Sequence, residues 1–155
     1  MIKEKNSANA PVAVVVNDDN VQLKLLSGLL AKGGFRTLSF LNAAAALSYM
    51  HTNGAPDIIV TDLYMPELDG WRFCRLLRSS EYSILNNTPV LVISATFSGE
   101  TTNRITTELG ANAFLAAPVD GRELIETANG LLCGHSFSHM PYVLFALDDK
   151  EYAAK

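Results

Sequence analysis

Short apolar runs alternate along this chain with stretches in which apolar residues recur every three or four positions. Val12 to Val16 is a continuous, mostly β-branched run, too short for a helix, and reads as a strand buried on both faces. Beyond "NDDN", the leucines at 23, 26 and 30, flanked by Val21, Leu25 and Leu29, predict a helix that Gly33-Gly34 ends. Phe35 to Phe40 predicts a second strand. Asn42 then caps an alanine-rich helix, "AAAALSYMHT", which stops at Asn53-Gly54 and whose small residues let it press close to a sheet.

Pro56 restarts the chain, and Ile58 to Thr61 predicts a third strand with Asp62 at its end. Leu68 to Ser79 reads as a helix offering Trp71, Leu76 and Leu77 to the core, followed by a polar loop, "SSEYSILNN". Val90 to Ser94 is a fourth strand. Ser98 or a neighbour caps a helix over "GETTNRITTEL", closed by Gly110, and Ala113 to Ala116 is a short fifth strand ending at Pro118. Asp120 and Glu123 stand at capping-box spacing before a last helix that ends at Gly134.

Parallel neighbours need crossover helices, and those crossovers are almost always right-handed. The alternation therefore predicts an α/β domain with a doubly wound five-stranded parallel sheet and helices on both faces. Ligands in such sheets bind beyond the carboxyl ends of the strands, where the winding direction switches.

Bulk properties narrow the function. The 155 residues leave room for one domain with a genuine core, on a scale of roughly 100–200 residues per domain. A net charge of −4 without any basic run lacks the electrostatic footprint of a nucleic-acid binder. The polar start "MIKEKNSANA" is no signal peptide, and no apolar run approaches the roughly 18 residues that span a bilayer, so a membrane partner is not expected. Cys74 and Cys133, each in a predicted helix, read as buried reduced thiols, which suits a cytoplasmic location.

The strand ends carry the candidate chemistry. Strand one ends in Asn17, Asp18 and Asp19, strand three in Asp62, strand four in Ser94 followed by Ala95 and Thr96, and strand five in Ala117-Pro118. Carboxylates at close range repel, and a hard, oxygen-liking cation such as Mg²⁺ is the usual resolution. By itself Asp62 could equally cap the next helix or shape a turn.

Residues 11–134 resemble the response-regulator receiver domain through "VVVNDDN", "DIIVTDLYMPELDG", "PVLVISA" and "GANAFLAAPVD", in the family's order and separation. The resemblance implies a flavodoxin-like sheet of order 2-1-3-4-5 and makes Asp62 the phosphoacceptor, charged by a sensor histidine kinase or a histidine phosphotransfer protein. It implies Mg²⁺ bound by Asp18, Asp62 and the backbone carbonyl of Tyr64, with Asn17 and Asp19 acting one layer further out. Ser94 matches the hydroxyl that bonds the phosphoryl group, and Phe114 the aromatic position that switches with it. Pro66, Gly70 and Pro118 match turn positions.

The chain departs from the pattern twice. The family's acidic pair at the end of strand one falls on Asn17-Asp18 or on Asp18-Asp19; the first register joins the following helix without a gap and puts a neutral amide in place of one acid. The family's lysine before the proline is Ala117 here. Losing that ammonium removes a charge-assisted hydrogen bond of roughly 1.5–3 kcal/mol to a phosphoryl oxygen. Arg104 and Arg122 are remote replacements. Phosphotransfer with reduced efficiency is expected, and a pseudo-receiver acting through protein contacts alone is the alternative.

The C-terminal segment repeats the opening. "PYVLFALDDKEYAAK" from Pro141 aligns without a gap with "PVAVVVNDDNVQLKL" from Pro11. This divides the chain into a disordered leader (1–10), the receiver (11–134), a linker (135–140) and the first strand and opening helical turn of a possible second receiver (141–155). His135 and His139 have a metal pair's spacing, but the Gly, Ser and Pro around them favour a linker.

Two enzyme-like readings fail on residues. A dehalogenase-type phosphatase needs an aspartate two positions after its nucleophile, where this chain has Tyr64. A flavin carrier needs a phosphate-cradling loop after strand one, where this chain has acids.

Overall fold

A computed structural model describes residues 9–95 and 110–133, together with 149–150 and 152–153. The elements run β1 (Val12–Val16), α1 (Asn20–Lys32), β2 (Arg36–Phe40), α2 (Ala43–Asn53), β3 (Ile58–Thr61), α3 (Gly70–Leu77), a 3₁₀ helix (Ser80–Leu85), β4 (Val90–Ser94), β5 (Ala113–Ala116) and α4 (Gly121–Leu132). The strands form a five-stranded parallel sheet of order β2-β1-β3-β4-β5. This is the expected flavodoxin-like winding, with its direction switching between β1 and β3.

Burial explains why the strands read as unbroken apolar runs. Every residue of β3 and β4 is buried, as are four of the five in β1, because helices cover both faces of the sheet. Leu23, Leu26 and Leu30 of α1 enter the core, as do Ala43, Ala46, Leu47 and Met50 of α2. Ala43 and Ala46 are fully buried, so the alanine-rich helix does lie close to the sheet. α1 and α4 pack together on one face, where a Cβ on Gly33 would lie 2.9 Å from Ile125 Cγ1.

Several details differ from the sequence reading. α3 starts at Gly70 rather than Leu68, because Asp69 takes the cap and accepts from the Arg72 N–H at 2.9 Å. The "SSEYSILNN" loop contains the 3₁₀ helix, and Asn86 Nδ2 ties it down by donating to the carbonyls of Leu77, Ser79 and Tyr82. Asp120 caps α4 by accepting from Arg122 N–H rather than from the Glu123 N–H of a capping box. Cys133 is the C-cap residue just past α4 and is exposed, in contrast to Cys74, which is buried inside α3.

Asp149–Lys150 and Tyr152–Ala153 form a two-residue antiparallel pair where an opening helical turn was expected. So short a segment gains too few helical bonds to offset nucleation. The helix expected over "GETTNRITTEL" with its Ser98 cap, Thr96 and Arg104, the histidines at 135 and 139, and most of the tail lie outside the described residues.

Arg78, the C-cap residue of α3, locks the edge of the sheet away from the strand carboxyl ends. Its Nη2 donates to Gly110 O at 2.9 Å and to Asn112 Oδ1 at 3.0 Å, and Nη1 donates to Leu85 O at 3.1 Å. Asn112 Oδ1 also accepts from Val90 N–H at 2.8 Å. One planar fork thus joins α3, the 3₁₀ helix and the entries to β4 and β5.

Candidate functional site

The parallel ladders continue one residue past the strands and bring the strand-end residues abreast. Val16 pairs with Thr61, and the next residue, Asp62, donates its N–H to Val16 O at 3.2 Å. Ser94 pairs with Ala116, and Ala117 N–H donates to Ser94 O at 2.9 Å. The result is a cleft of about 490 Å³ at the switch point, lined by Asn17, Asp18, Asp19, Gln22, Leu26, Asp62, Ile93, Ser94, Ala95, Ala117 and Pro118.

Asp62 is half-buried. Its Oδ1 accepts from the Leu63 N–H at 2.7 Å. Burial pushes its carboxyl above the ordinary aspartate range; the N–H groups of Leu63 and Tyr64 pull it back, and the Asp18 carboxylate adds to the rise. Asp62 is therefore close enough to a second carboxylate to feel it.

Asp19 has a different task. Its Oδ1 accepts from Val21 N–H at 2.9 Å and Gln22 N–H at 3.3 Å, capping α1. The Asp19 N–H in turn donates to Asn17 Oδ1 at 2.9 Å. Asn17 is only 6% exposed whereas Asp18 is exposed, and both line the cleft with Asp19 and Asp62. Gln22, in the first turn of α1, lines the cleft and was missed, because a polar residue among the leucines of a helix carries no local signal of which site it faces.

Of the remaining candidates, Ser94, Ala117 and Pro118 line the cleft, whereas Tyr64, Pro66, Gly70 and Phe114 are not among its lining residues. Ser94 is 1% exposed. Phe114 is 1% exposed within the core, and the Tyr64 side chain is 50% exposed. The turn after β3 places Glu67 at φ 65°, a left-handed conformation costly for a residue with a Cβ. A Cβ on Gly70 would meet the Asp62 carbonyl oxygen and lie 2.6 Å from Leu63 Cα, so only glycine fits there. The Ala117–Pro118 peptide is cis.

Among the described residues, no Lys or Arg lines the cleft, and no three His, Cys, Asp or Glu side chains cluster as a metal cage. Mg²⁺ does not require one, since it is usually held by one or two carboxylates with waters and phosphate oxygens. The mutual repulsion of Asp18 and Asp62 and the purely oxygen donor set suit such an ion. None of the described helices is long and apolar enough to cross a membrane.

Known proteins resemble this chain in sequence and fold. The chain is 31% identical over 127 residues to the alkaline phosphatase synthesis transcriptional regulatory protein SphR of Synechococcus elongatus, a match covering 77% of this chain and 48% of SphR. It is 33% identical over 114 residues to the sensory/regulatory protein RpfC of Xanthomonas campestris, covering 74% of this chain and 15% of RpfC. The chain thus spans about half of the first relative and far less of the second.

Among solved structures, the receiver domain of the Francisella response regulator 1452 matches with a TM-score of 0.71 at 28% identity, covering 80% of this chain and 98% of that one. The signal receiver domain of a histidine kinase from Syntrophus aciditrophicus matches at 0.70 and 28% identity, covering 81% and 92%. The sequence profile of the response regulator receiver domain matches residues 13–129, and the chain belongs to that family.

Proposed function

We propose that Asp62 accepts a phosphoryl group from a phosphorylated histidine of a sensor histidine kinase or histidine phosphotransfer protein. The observation that carries this reading is the position of Asp62: half-buried, at the end of a central strand, in a cleft with Asp18 and Ser94. A bond forms between an Asp62 carboxylate oxygen and phosphorus as the phosphorus–nitrogen bond breaks. The imidazole nitrogen keeps the electron pair and takes up a proton.

The chain's own residues supply positioning. The N–H groups of Leu63 and Tyr64 orient the Asp62 carboxylate, and the buried Ser94 hydroxyl is set to bond a phosphoryl oxygen. Asp18, Asp62 and the Tyr64 carbonyl would hold Mg²⁺, which when bound neutralises charge on the phosphoryl oxygens. Phe114, two residues before Ala116 of the paired Ser94–Ala116 rung, is the position through which occupancy would reach the outer face of β5. With Ala117 in the cleft and no described cation beside it, transfer proceeds with reduced efficiency.

Incubation with Mg²⁺ and acetyl phosphate, followed by intact-mass measurement, tests the reading. A phosphorylated species is expected for the wild type and none for Asp62→Asn. No adduct on the wild type, under conditions that label another receiver, would overturn it.

A further inference from the structure

A single hydrogen bond decides which way the Asn17 amide faces. The Asp19 N–H donates to Asn17 Oδ1 at 2.9 Å. Only the oxygen of a carboxamide can accept that bond, so Nδ2 occupies the other prong of the fork. Asn17 is 6% exposed and lines the cleft with Asp18 and Asp62. Among the described residues, none accepts from its Nδ2.

A buried donor needs an acceptor, and since no described residue supplies one, the cleft is where it is found: water, or an oxygen of a bound group. The amide N–H₂ bears partial positive charge and offers no lone pair to a metal, so it disfavours a cation and suits an anion. The same cleft has Ala117, with no ammonium, and no Lys or Arg among its described lining residues.

We propose that Asn17 is a phosphoryl-binding residue, its Nδ2–H₂ donating to an oxygen of the group carried on Asp62. The two departures at the ends of β1 and β5 are then one compensated change: an anion-binding donor has moved from position 117 to position 17. The metal is left to Asp18, Asp62 and the Tyr64 carbonyl. The inference rests on the phosphoacceptor reading above.

Calorimetric titrations with Mg²⁺ alone, and with beryllofluoride at saturating Mg²⁺, test it on wild type, Asn17→Ser, Asn17→Asp and Asp62→Asn. The serine hydroxyl can accept the Asp19 N–H and keep the turn while removing the amide donor without adding charge. Loss of one such bond should weaken beryllofluoride binding to Asn17→Ser roughly tenfold and leave Mg²⁺ affinity unchanged. Asn17→Asp, which keeps the acceptor as well, should bind Mg²⁺ roughly tenfold tighter through the added carboxylate. Circular dichroism establishes that each variant is folded.

Wild-type beryllofluoride affinity in Asn17→Ser would overturn the role of Asn17, as would a parallel loss of Mg²⁺ affinity in that variant. Absence of beryllofluoride binding to the wild type itself, indistinguishable from Asp62→Asn, would instead overturn the phosphoacceptor reading on which the role depends.

Discussion

The Gly70 N–H donates to the Leu63 carbonyl at 2.7 Å, so the first residue of α3 is pinned against the residue that follows Asp62. A methyl group at Gly70 would push on the Asp62 carbonyl and the Leu63 backbone, neither of which is the free end of a flexible side chain. Gly70→Ala should therefore lose roughly 1–3 kcal/mol of stability, as overpacked sites do. Urea unfolding should show a lower midpoint with an unchanged slope.

Glu67 holds φ at 65° in the same turn. Glycine adopts this conformation without the Cβ clash, although it gives up more backbone entropy on folding. The first effect wins where the residue is already left-handed, and Glu67→Gly should gain roughly 0.5–1 kcal/mol. Thermal unfolding checks the sign.

The raised carboxyl of Asp62 makes stability depend on pH. Below the ordinary aspartate value of 3.8 the group is protonated in folded and unfolded chains alike and contributes no difference. As pH rises from there through the higher folded value, the unfolded chain ionises first, and the folded protein loses stability. Asp62→Asn is uncharged throughout. In metal-free buffer its Tm should match the wild type at the acid end and exceed it by a few degrees at neutral pH, and Mg²⁺ should narrow that gap.

Arg78 carries four hydrogen bonds to three acceptors on two separate segments. Burial lowers its basicity, yet the guanidinium is held by carbonyl dipoles that would otherwise be left without these donors. Arg78→Met should cost about 2–4 kcal/mol, since bonds to a charged group are lost together with the satisfaction of buried acceptors. Arg78→Lys should recover only part, because one ammonium cannot span the same fork. Chemical denaturation of the three proteins distinguishes the two effects.

Ala117 lines the cleft that holds Asp62 and Ser94. Ala117→Lys should place an ammonium there and add a charge-assisted bond to a phosphoryl oxygen of roughly 1.5–3 kcal/mol, or about a tenfold to hundredfold gain in retention of beryllofluoride. Equilibrium binding reads the gain. The rate and lifetime of the aspartyl phosphate then show which step the missing cation slows.

Local chemistry was enough to determine most of the architecture. Val12–Val16, Ile58–Thr61 and Val90–Ser94 read as buried strands because covered parallel strands must be apolar on both faces, and Asn42 and Asp120 announced helix starts because free N–H groups need acceptors. Asp62, Asp18 and Ser94 were legible as a group because a parallel sheet delivers every strand end to the same edge.

Tertiary structure alone decided how the "NDD" triplet divides its work. Which of the two aspartates caps α1 depends on where the helix begins and how it packs, and no local preference separates two adjacent aspartates. The burial and orientation of Asn17, the arrival of Gln22 at the cleft and the span of Arg78 across three segments likewise come from chain parts far apart in sequence. Those placements are set by packing of the whole sheet and its helices, which a linear pattern of polar and apolar residues does not contain.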